Sequence, residues 1–199
     1  MKEIQFGEVT SNILFENLAH SRYSVFVKEL KRVYPSQYIQ SGKLIEPIDD
    51  YSKNLVLLKD SYVIGGIRIT ELRGDKFPLD EFVNKYKLDE YFIQYGVYLS
   101  KLFITPPNNR NKRYLPYFLA NIFVFLIRSD VKYVYLNTNP ELENLYKKLG
   151  FEEIGDPFFL DEVEKTVIPM RAILDDKYIS KCTSTSFKQY LSNLLNMDK

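Results

Sequence analysis

The chain has 199 residues, of which 45% are hydrophobic and 27% charged, and its formal net charge is +1. Length and composition are typical of one globular domain with a sizeable core, and the near-neutral charge argues against a nucleic-acid partner or whole-surface attraction to an anionic membrane. The single cysteine, Cys182, cannot form an internal disulfide and favours a reducing compartment. The N-terminus lacks the apolar core of a signal peptide, and the longest apolar run has about 11 residues against the roughly 20 of a membrane helix. We therefore expect a soluble, cytoplasmic protein without a membrane span.

Hydrophobic periodicity and turn residues divide the chain into helices and strands. The predicted elements are, in chain order, one or two helices up to about Val33, a polar acidic loop at 43–51, strands at 54–58 and 62–70, a helix at 77–91, a strand at 95–105, a helix at 115–128, a strand at 133–137, a helix at 140–149, a strand at 164–173 and a terminal helix at about 184–197. Gly150 follows a helix end, where a left-handed residue is preferred. The absence of a Pro/Gly/Ser-rich linker predicts a single domain of the α/β or α+β class over residues 1–199.

A basic loop joins the strand that ends at Ile104 to the apolar helix that follows it. The loop carries three cations, Arg110, Lys112 and Arg113. Backbone N–H groups at a helix start are unpaired, and the helix dipole adds positive charge there. The segment therefore predicts an anion-binding site, with a solvated loop as the alternative.

A second strand ends near Asn137, and the short helix after it contains Tyr146 and closes on Leu149-Gly150-Phe151. This order of strand, basic loop, helix, strand and helix resembles the donor-binding half of the GNAT superfamily of N-acyltransferases. The resemblance implies an α+β (three-layer α/β) fold with a mixed, strongly twisted sheet flanked by helices. It places the donor-binding half at about 96–174, with a V-shaped cleft between the strands that end near Ile104 and Asn137.

Segments further upstream narrow this resemblance. They are, in chain order, Arg22-Tyr23-Ser24-Val25-Phe26, Glu46…Asp49-Asp50-Tyr51, Gly65-Gly66-Ile67-Arg68-Ile69, Phe77-Pro78-Leu79…Phe82 and Leu99-Ser100-Lys101-Leu102-Phe103. Their order over about residues 22–174 is similar to the branch that contains acyl-homoserine-lactone synthases and bacterial N-acyl amino acid synthases. The resemblance implies an enzyme that moves an acyl group from an acyl thioester to the amine of a small molecule. Its co-substrate would be acyl-CoA or an acyl-phosphopantetheine on acyl carrier protein, and no metal would be needed.

The donor side of the resemblance supplies several candidate residues. The backbone of Leu102, Phe103 and Ile104 would pair with pantetheine, while the basic loop and Asn137 would complete the donor site. Tyr146 would act as the general acid that protonates the departing thiolate. The alternative for Tyr146 is a packing role between its helix and the sheet.

Carboxylates and one arginine are the acceptor-side candidates. Four carboxylates would position or deprotonate the acceptor amine, unless they are ordinary solvated carboxylates, namely Glu46, Asp49, Asp50 and Glu71. Arg68 at a strand end would bind an acceptor carboxylate bidentately or form a structural ion pair. The only histidine, His20, has no cysteine or second histidine near it in sequence, so neither a zinc site nor a Ser-His-Asp triad is expected.

The sequence departs from the family pattern in both the acceptor-binding and the donor-binding segments. Tyr98, a substrate-binding candidate, stands where the synthase branch has an acidic residue, and Lys101 stands where it has an arginine. Arg113 and Leu115 replace the small residues that let the backbone approach a CoA pyrophosphate. These bulky side chains in a basic loop predict that acyl carrier protein is preferred over acyl-CoA as the donor. It also supports the alternative of a catalytically inactive GNAT-fold binding or structural protein, whose aromatic residues would cover a partner or homo-oligomer interface.

Overall fold

The computed structural model describes residues 3–73, 90–105, 110–160 and 164–197. The strands in these ranges are β1 (Ile4–Glu8), β2 (Ile39–Gln40), β3 (Lys43–Leu44), β4 (Lys53–Lys59), β5 (Tyr62–Glu71), β6 (Gly96–Ile104), β7 (Tyr133–Thr138), β8 (Glu152–Glu153), β9 (Phe158–Leu160) and β10 (Lys165–Ile173). The α-helices are α1 (Asn12–Arg22), α2 (Glu90–Gln94), α3 (Leu115–Arg128), α4 (Glu143–Lys148), α5 (Tyr178–Lys181) and α6 (Thr185–Asn196). A π-helical segment, Tyr23–Glu29, continues α1, and 3₁₀ turns occupy Ser36–Tyr38, Pro47–Tyr51, Arg110–Tyr114 and Pro140–Leu142. Among the helices described, none is long and apolar enough to cross a membrane.

A mixed sheet flanked by helices organises the fold. Its strand order is β1-β4-β5-β6-β7-β10-β8, with β9 paired to β10. The pairs β1–β4, β4–β5 and β7–β10 are antiparallel. Strands β6 and β7 run parallel, with Gly96–Leu99 opposite Tyr133–Leu136, and helix α3 lies between them in the chain, as a parallel connection requires. The predicted GNAT-type fold class is confirmed, and β6 and β7 are neighbours in the sheet as predicted.

The chain divides into two compact units. The first comprises Met1–Ile69, Ser100–Leu115 and Leu160–Glu164, and the second comprises Thr70–Leu99, Pro116–Phe159 and Lys165–Lys199. The single domain over residues 1–199 and the cleft between the ends of β6 and β7 stay predictions.

Close packing of β5 against α1 shapes the first unit. Helix α1 begins at Ser11, whose Oγ accepts the Leu14 N–H at 3.3 Å, and it buries Leu18. A Cβ atom on Gly66 of β5 would lie 2.6 Å from both Leu18 Cδ1 and Phe103 Cε1, so a larger residue would force these side chains to shift. Because side chains two residues apart in a strand share a face, Gly66 places Arg68 on the face that packs on α1.

An apolar core fills the second unit. The ring of Phe123 on α3 stacks on that of Tyr178 at a centroid distance of 5.3 Å. It meets Phe151 and Phe187 edge-on at 6.0 and 5.5 Å. Gly150, which precedes Phe151, has φ +87°, so the predicted left-handed residue after the helix is confirmed.

The predicted elements agree with the structure where the hydrophobic pattern extends over many residues, as in α3 and β10. The acidic loop predicted at 43–51 is wrong in detail, since this stretch holds β3 and the 3₁₀ turn Pro47–Tyr51. That turn is closed by a hydrogen bond from the Asp49 N–H to the Glu46 carbonyl, while the Asp49 carboxylate accepts the Glu46 N–H. The helix predicted at 140–149 begins as 3₁₀ turn, and most of the one predicted at 77–91 lies outside the described residues. Strands β1, β2, β8 and β9 and helix α5 were not predicted.

A candidate acceptor site in the first unit

Polar side chains of the first unit meet in a buried cluster, called here the polar cluster. It is joined by hydrogen bonds and ion pairs and consists of Arg22, Tyr34, Glu46, Asp49, Asn54, Arg68, Ser100 and Lys101. These residues come from α1, the loop before β2, the Pro47–Tyr51 turn and its N-cap, and strands β4, β5 and β6. Distant parts of the chain therefore contribute to one set of charges.

Arg22 forms the innermost part of the polar cluster. Its side chain is fully buried, and Nη1 donates to Asp49 Oδ1 at 2.7 Å while Nη2 donates to Asn54 Oδ1 at 2.5 Å. Its Nε is buried without a hydrogen-bond partner among the described residues. Burial alone would raise the pKa of Asp49, but the positive charges of Arg22 and Arg68 outweigh it and hold that pKa below its usual value. Asp49 is therefore a carboxylate at neutral pH.

Arg68 connects the inner and outer parts of the polar cluster. Its Nε donates to Ser100 Oγ at 3.0 Å, and its Nη1 donates to Glu46 Oε2 at 2.9 Å. Nη1 also lies 3.4 Å from Asp49 Oδ1. The predicted alternative of an ion-pairing role for Arg68 is thus present in the structure, and its role toward a substrate stays a prediction.

Lys101 approaches Glu46 from the other side. Its Nζ lies 3.1 Å from Glu46 Oε2, the same oxygen that Arg68 binds, and donates to Tyr34 Oη at 3.0 Å. The amine also lies over the Tyr34 ring, 4.4 Å from its centroid. Burial lowers the pKa of Lys101 from 10.5 to about 8, although the Glu46 carboxylate acts in the opposite direction.

The polar cluster has an excess of positive charge, and its side chains become more exposed from Arg22 toward Glu46. Three cations, Arg22, Arg68 and Lys101, face two carboxylates, Glu46 and Asp49, which leaves one positive charge in excess when all are ionised. The side chains of Arg22 and Asp49 are 0% and 1% exposed, whereas that of Glu46 is 14% exposed. Burying an unbalanced charge is costly, so the arrangement suits an added anion that reaches it from the Glu46 side.

The donor-side candidates in the first unit have other surroundings. Phe103 is buried in the core, with its ring edge-on to Phe26. Lys112 is exposed, and the Arg113 guanidinium lies 4.8 Å from the centroid of the Tyr114 ring. Leu102 and Ile104 belong to β6, and the Arg110 side chain lies outside the described residues.

The remaining candidates belong to the second unit. Tyr146 is half-buried, and its ring meets Phe151 edge-on at 5.4 Å. Tyr98 is opposite Tyr135 in the parallel β6–β7 pair, and Asn137 of β7 is opposite Pro169. Glu71 accepts a hydrogen bond from Arg73 at 2.9 Å. Their proposed chemical roles stay predictions.

Sequence reasoning did not select Arg22, Tyr34, Asn54, Ser100 or Lys101 as site residues. For Arg22 a usable signal existed, because it shares the apolar face of α1 with Leu18 four residues earlier. A cation on an otherwise buried helix face requires a buried partner. Tyr34 and Asn54 gave no such signal, since their neighbours in space are distant in sequence.

Comparison with known proteins identifies the fold. No protein-family model matches the sequence, and no curated protein matches it by sequence. Among solved structures, this chain is similar to FeeM, an N-acyl amino acid synthase from uncultured soil microbes. The match covers 94% of this chain and 99% of the FeeM chain, with 11% identity and a TM-score of 0.70. The chain is also similar to the acyl-homoserine-lactone synthase LasI. This match covers 91% of this chain and 94% of the LasI chain, with 15% identity and a TM-score of 0.70. A third similar structure is BjaI, a CoA-dependent acyl-homoserine lactone synthase solved with SAM and isopentyl-CoA. This match covers 99% of this chain and 89% of the BjaI chain, with 14% identity and a TM-score of 0.70. The chain therefore has the GNAT-type fold of these synthases.

Proposed function

We propose that the protein is an N-acyltransferase that moves an acyl group from a thioester to the amine of a small molecule that also carries a carboxylate. The observation that carries this proposal is the buried polar cluster, with its excess of positive charge, on a fold shared with acyl-transferring enzymes.

The charge arrangement supports an acceptor with both an amine and a carboxylate. An ammonium group suits Glu46, the most exposed carboxylate of the polar cluster. A carboxylate suits Arg68, because a guanidinium binds carboxylates through two parallel hydrogen bonds and its neighbourhood has positive charge in excess. The two groups are adjacent, since Arg68 Nη1 and Glu46 Oε2 are 2.9 Å apart. Small molecules of the amino-acid type match this spacing.

The reaction needs no nucleophile on the chain. The acceptor amine would attack the thioester carbonyl directly in a ternary complex, so that positioning of the two substrates supplies much of the rate. Backbone N–H groups of Leu102, Phe103 and Ile104 would polarise the carbonyl. Tyr146 would protonate the departing thiolate.

We further propose acyl carrier protein as the preferred donor. Arg113 and Leu115 carry bulk at the positions where bare backbone would have to approach the CoA pyrophosphate. An acidic carrier protein instead requires exposed cations, and the loop supplies Lys112 and Arg113. Lys59 adds a third cation there, since its Nζ lies over the same Tyr114 ring as Arg113, 5.7 Å from the centroid.

Purified protein incubated with panels of acyl-CoA and acyl carrier proteins, and with amines that have or lack a carboxylate, tests the proposal by release of free thiol. We expect release that depends on a carboxylate-bearing amine. Arg68→Met should raise the KM for that amine by about tenfold or more, because a charge-assisted hydrogen bond is lost. Arg171→Met is the matched control, since it removes a comparable arginine–carboxylate pair, with Glu152, in the second unit.

The second candidate, an inactive GNAT-fold binding protein, is favoured by the bulk of Arg113 and Leu115 alone. It predicts no thiol release above background with any donor, and no thermal stabilisation by CoA or phosphopantetheine. Either ligand-induced stabilisation or amine-dependent thiol release contradicts it.

A further inference from the structure

Lys101 has a backbone conformation unlike that of any other strand residue in the described ranges. Seven non-glycine residues there have positive φ, and six of them lie in turns or loops, namely Lys31, Ser41, Asp60, Ser61, Asp130 and Glu164. Lys101, with φ +54°, lies within β6. A side chain in this left-handed region is strained, and such strain persists where surrounding contacts hold it. The contacts of the Lys101 amine are therefore of functional interest.

Some groups around the Lys101 amine favour its charged form, and others favour its neutral form. Its side chain is 9% exposed, and Glu46 Oε2 and Tyr34 Oη lie 3.1 and 3.0 Å from Nζ. The Phe26 ring centroid lies 5.7 Å away on the apolar side. Glu46 stabilises the ammonium form, whereas burial and the positive charges of Arg68 and Arg22 favour the neutral amine.

Four of the ionisable groups around Lys101, namely Arg22, Arg68, Asp49 and Tyr34, accept a proton poorly. The guanidiniums of Arg22 and Arg68 stay protonated at any physiological pH. Asp49 has a pKa below its usual value for the reasons given above. Burial and a nearby carboxylate raise the pKa of Tyr34, although Arg32 beside it acts in the opposite direction, so its phenol keeps its proton. Glu46 Oε2 is already held by both Arg68 and Lys101. Lys101 combines a lowered pKa of about 8 with a place at the more exposed edge of the polar cluster.

We propose that Lys101 is the general base that removes the proton from the acceptor amine, an assignment that rests on the proposed acyl transfer. The neutral Lys101 amine takes one proton from the acceptor ammonium and becomes an ammonium ion paired with Glu46. The freed nitrogen forms a bond to the thioester carbonyl carbon, and the carbon–sulfur bond breaks. A second proton from that nitrogen ends on the departing sulfur, so that the products are an amide and a free thiol.

Lys101→Arg tests this role, because arginine keeps the positive charge but does not give up its proton. At about pH 7.5 we expect kcat/KM for an amino-acid acceptor to fall by about 100-fold or more, the usual size of a general-base contribution. The wild-type rate should rise with pH around the pKa of Lys101, and in the variant this rise should move to the higher pKa of the free acceptor amine. Lys101→Met should show the same shift, which keeps the test valid if arginine does not fit. Lys43→Arg is the matched control, since the half-buried Lys43 pairs with Glu16, which lies outside the polar cluster.

An acceptor that needs no base separates this role from a structural one. An aminooxy carboxylate is already neutral at its reactive nitrogen at neutral pH, so Lys101→Arg, which keeps the positive charge, should acylate it with a kcat within about threefold of the wild-type value. Equal loss with both acceptors, or an unchanged pH profile in Lys101→Arg, would overturn the role of Lys101 and leave the proposed function intact. Failure of the wild type to acylate either acceptor would instead overturn the proposed function, and the role of Lys101 with it.

Discussion

The two units of the chain have cores of opposite character. In the second unit, Phe123 is surrounded by the rings of Phe151, Tyr178 and Phe187, and the Tyr178 hydroxyl donates to the Leu149 carbonyl at 2.7 Å. In the first unit, the core beside Leu18 continues into a buried set of charges that includes Arg22 and Asp49. Apolar side chains of similar volume would fill such a space at no greater free-energy cost. This contrast supports the proposal that the charges of the first unit serve chemistry, whereas the rings of the second unit contribute to stability.

Truncation of the aromatic core should have the largest effect on stability. Phe123→Ala removes a ring from a fully packed site, and we expect a loss of about 4 kcal/mol in the free energy of unfolding. Denaturant unfolding followed by circular dichroism measures this loss. Specific activity per folded molecule should stay close to that of the wild type. A loss under about 1 kcal/mol would mean that the aromatic core does not carry the stability assigned to it.

Breaking the innermost ion pair should have a similar but smaller effect. Asp49→Ala leaves the Arg22 guanidinium buried without its carboxylate and should cost about 3 kcal/mol. Because the pKa of Asp49 is lowered on folding, this contribution should be complete above about pH 4 and disappear as the pH falls further. The double variant Arg22→Met with Asp49→Leu should regain most of the stability but lose acyl transfer. If the double variant stays both stable and active, the charges are not kept for chemistry.

Removing the excess cation should stabilise the fold. At pH 7 the Lys101 ammonium is buried at a cost, since its pKa falls from 10.5 in an open chain to about 8. Lys101→Met should therefore be more stable than the wild type by about 2 kcal/mol below pH 8. The unfolded wild type binds the extra proton between pH 8 and 10.5, so its stability relative to the variant should rise across that range. A difference that does not change with pH would contradict the lowered pKa.

Changes in the basic loop should have the smallest effect on stability. Arg110, Lys112 and Arg113 replaced together by Ala should alter the free energy of unfolding by no more than about 0.5 kcal/mol, as surface substitutions do. Affinity for acyl carrier protein should fall by several-fold, and wild-type affinity should decline steeply between low and physiological ionic strength. Tight CoA binding that the triple change leaves intact would contradict the proposed donor preference.

Prediction from sequence succeeded where a pattern is local and failed where contacts are distant. The apolar periodicity of 115–128 matches α3, and Gly150 has the expected left-handed backbone. Strand β1 was missed because Ile4 and Phe6 are its only two apolar side chains, too few for a clear alternation. In the polar cluster, Arg68, Glu46 and Asp49 were selected from sequence, and the structure brings them together. The partners Tyr34 and Lys101 are 67 residues apart, so no local spacing connects them.

The carboxylate requirement of the acceptor tests the assignment of the polar cluster as the acceptor site. Wild-type protein, with whichever thioester donor supports thiol release, is given an equimolar mixture of an amino acid and the matching amine that lacks the carboxylate. Mass spectrometry then measures the two amide products. Excess positive charge around Arg68 and Lys101 predicts acylation almost entirely on the amino acid, with that selectivity lost in Arg68→Met. Equal acylation of both amines by the wild type would contradict the assignment of the polar cluster as the acceptor site.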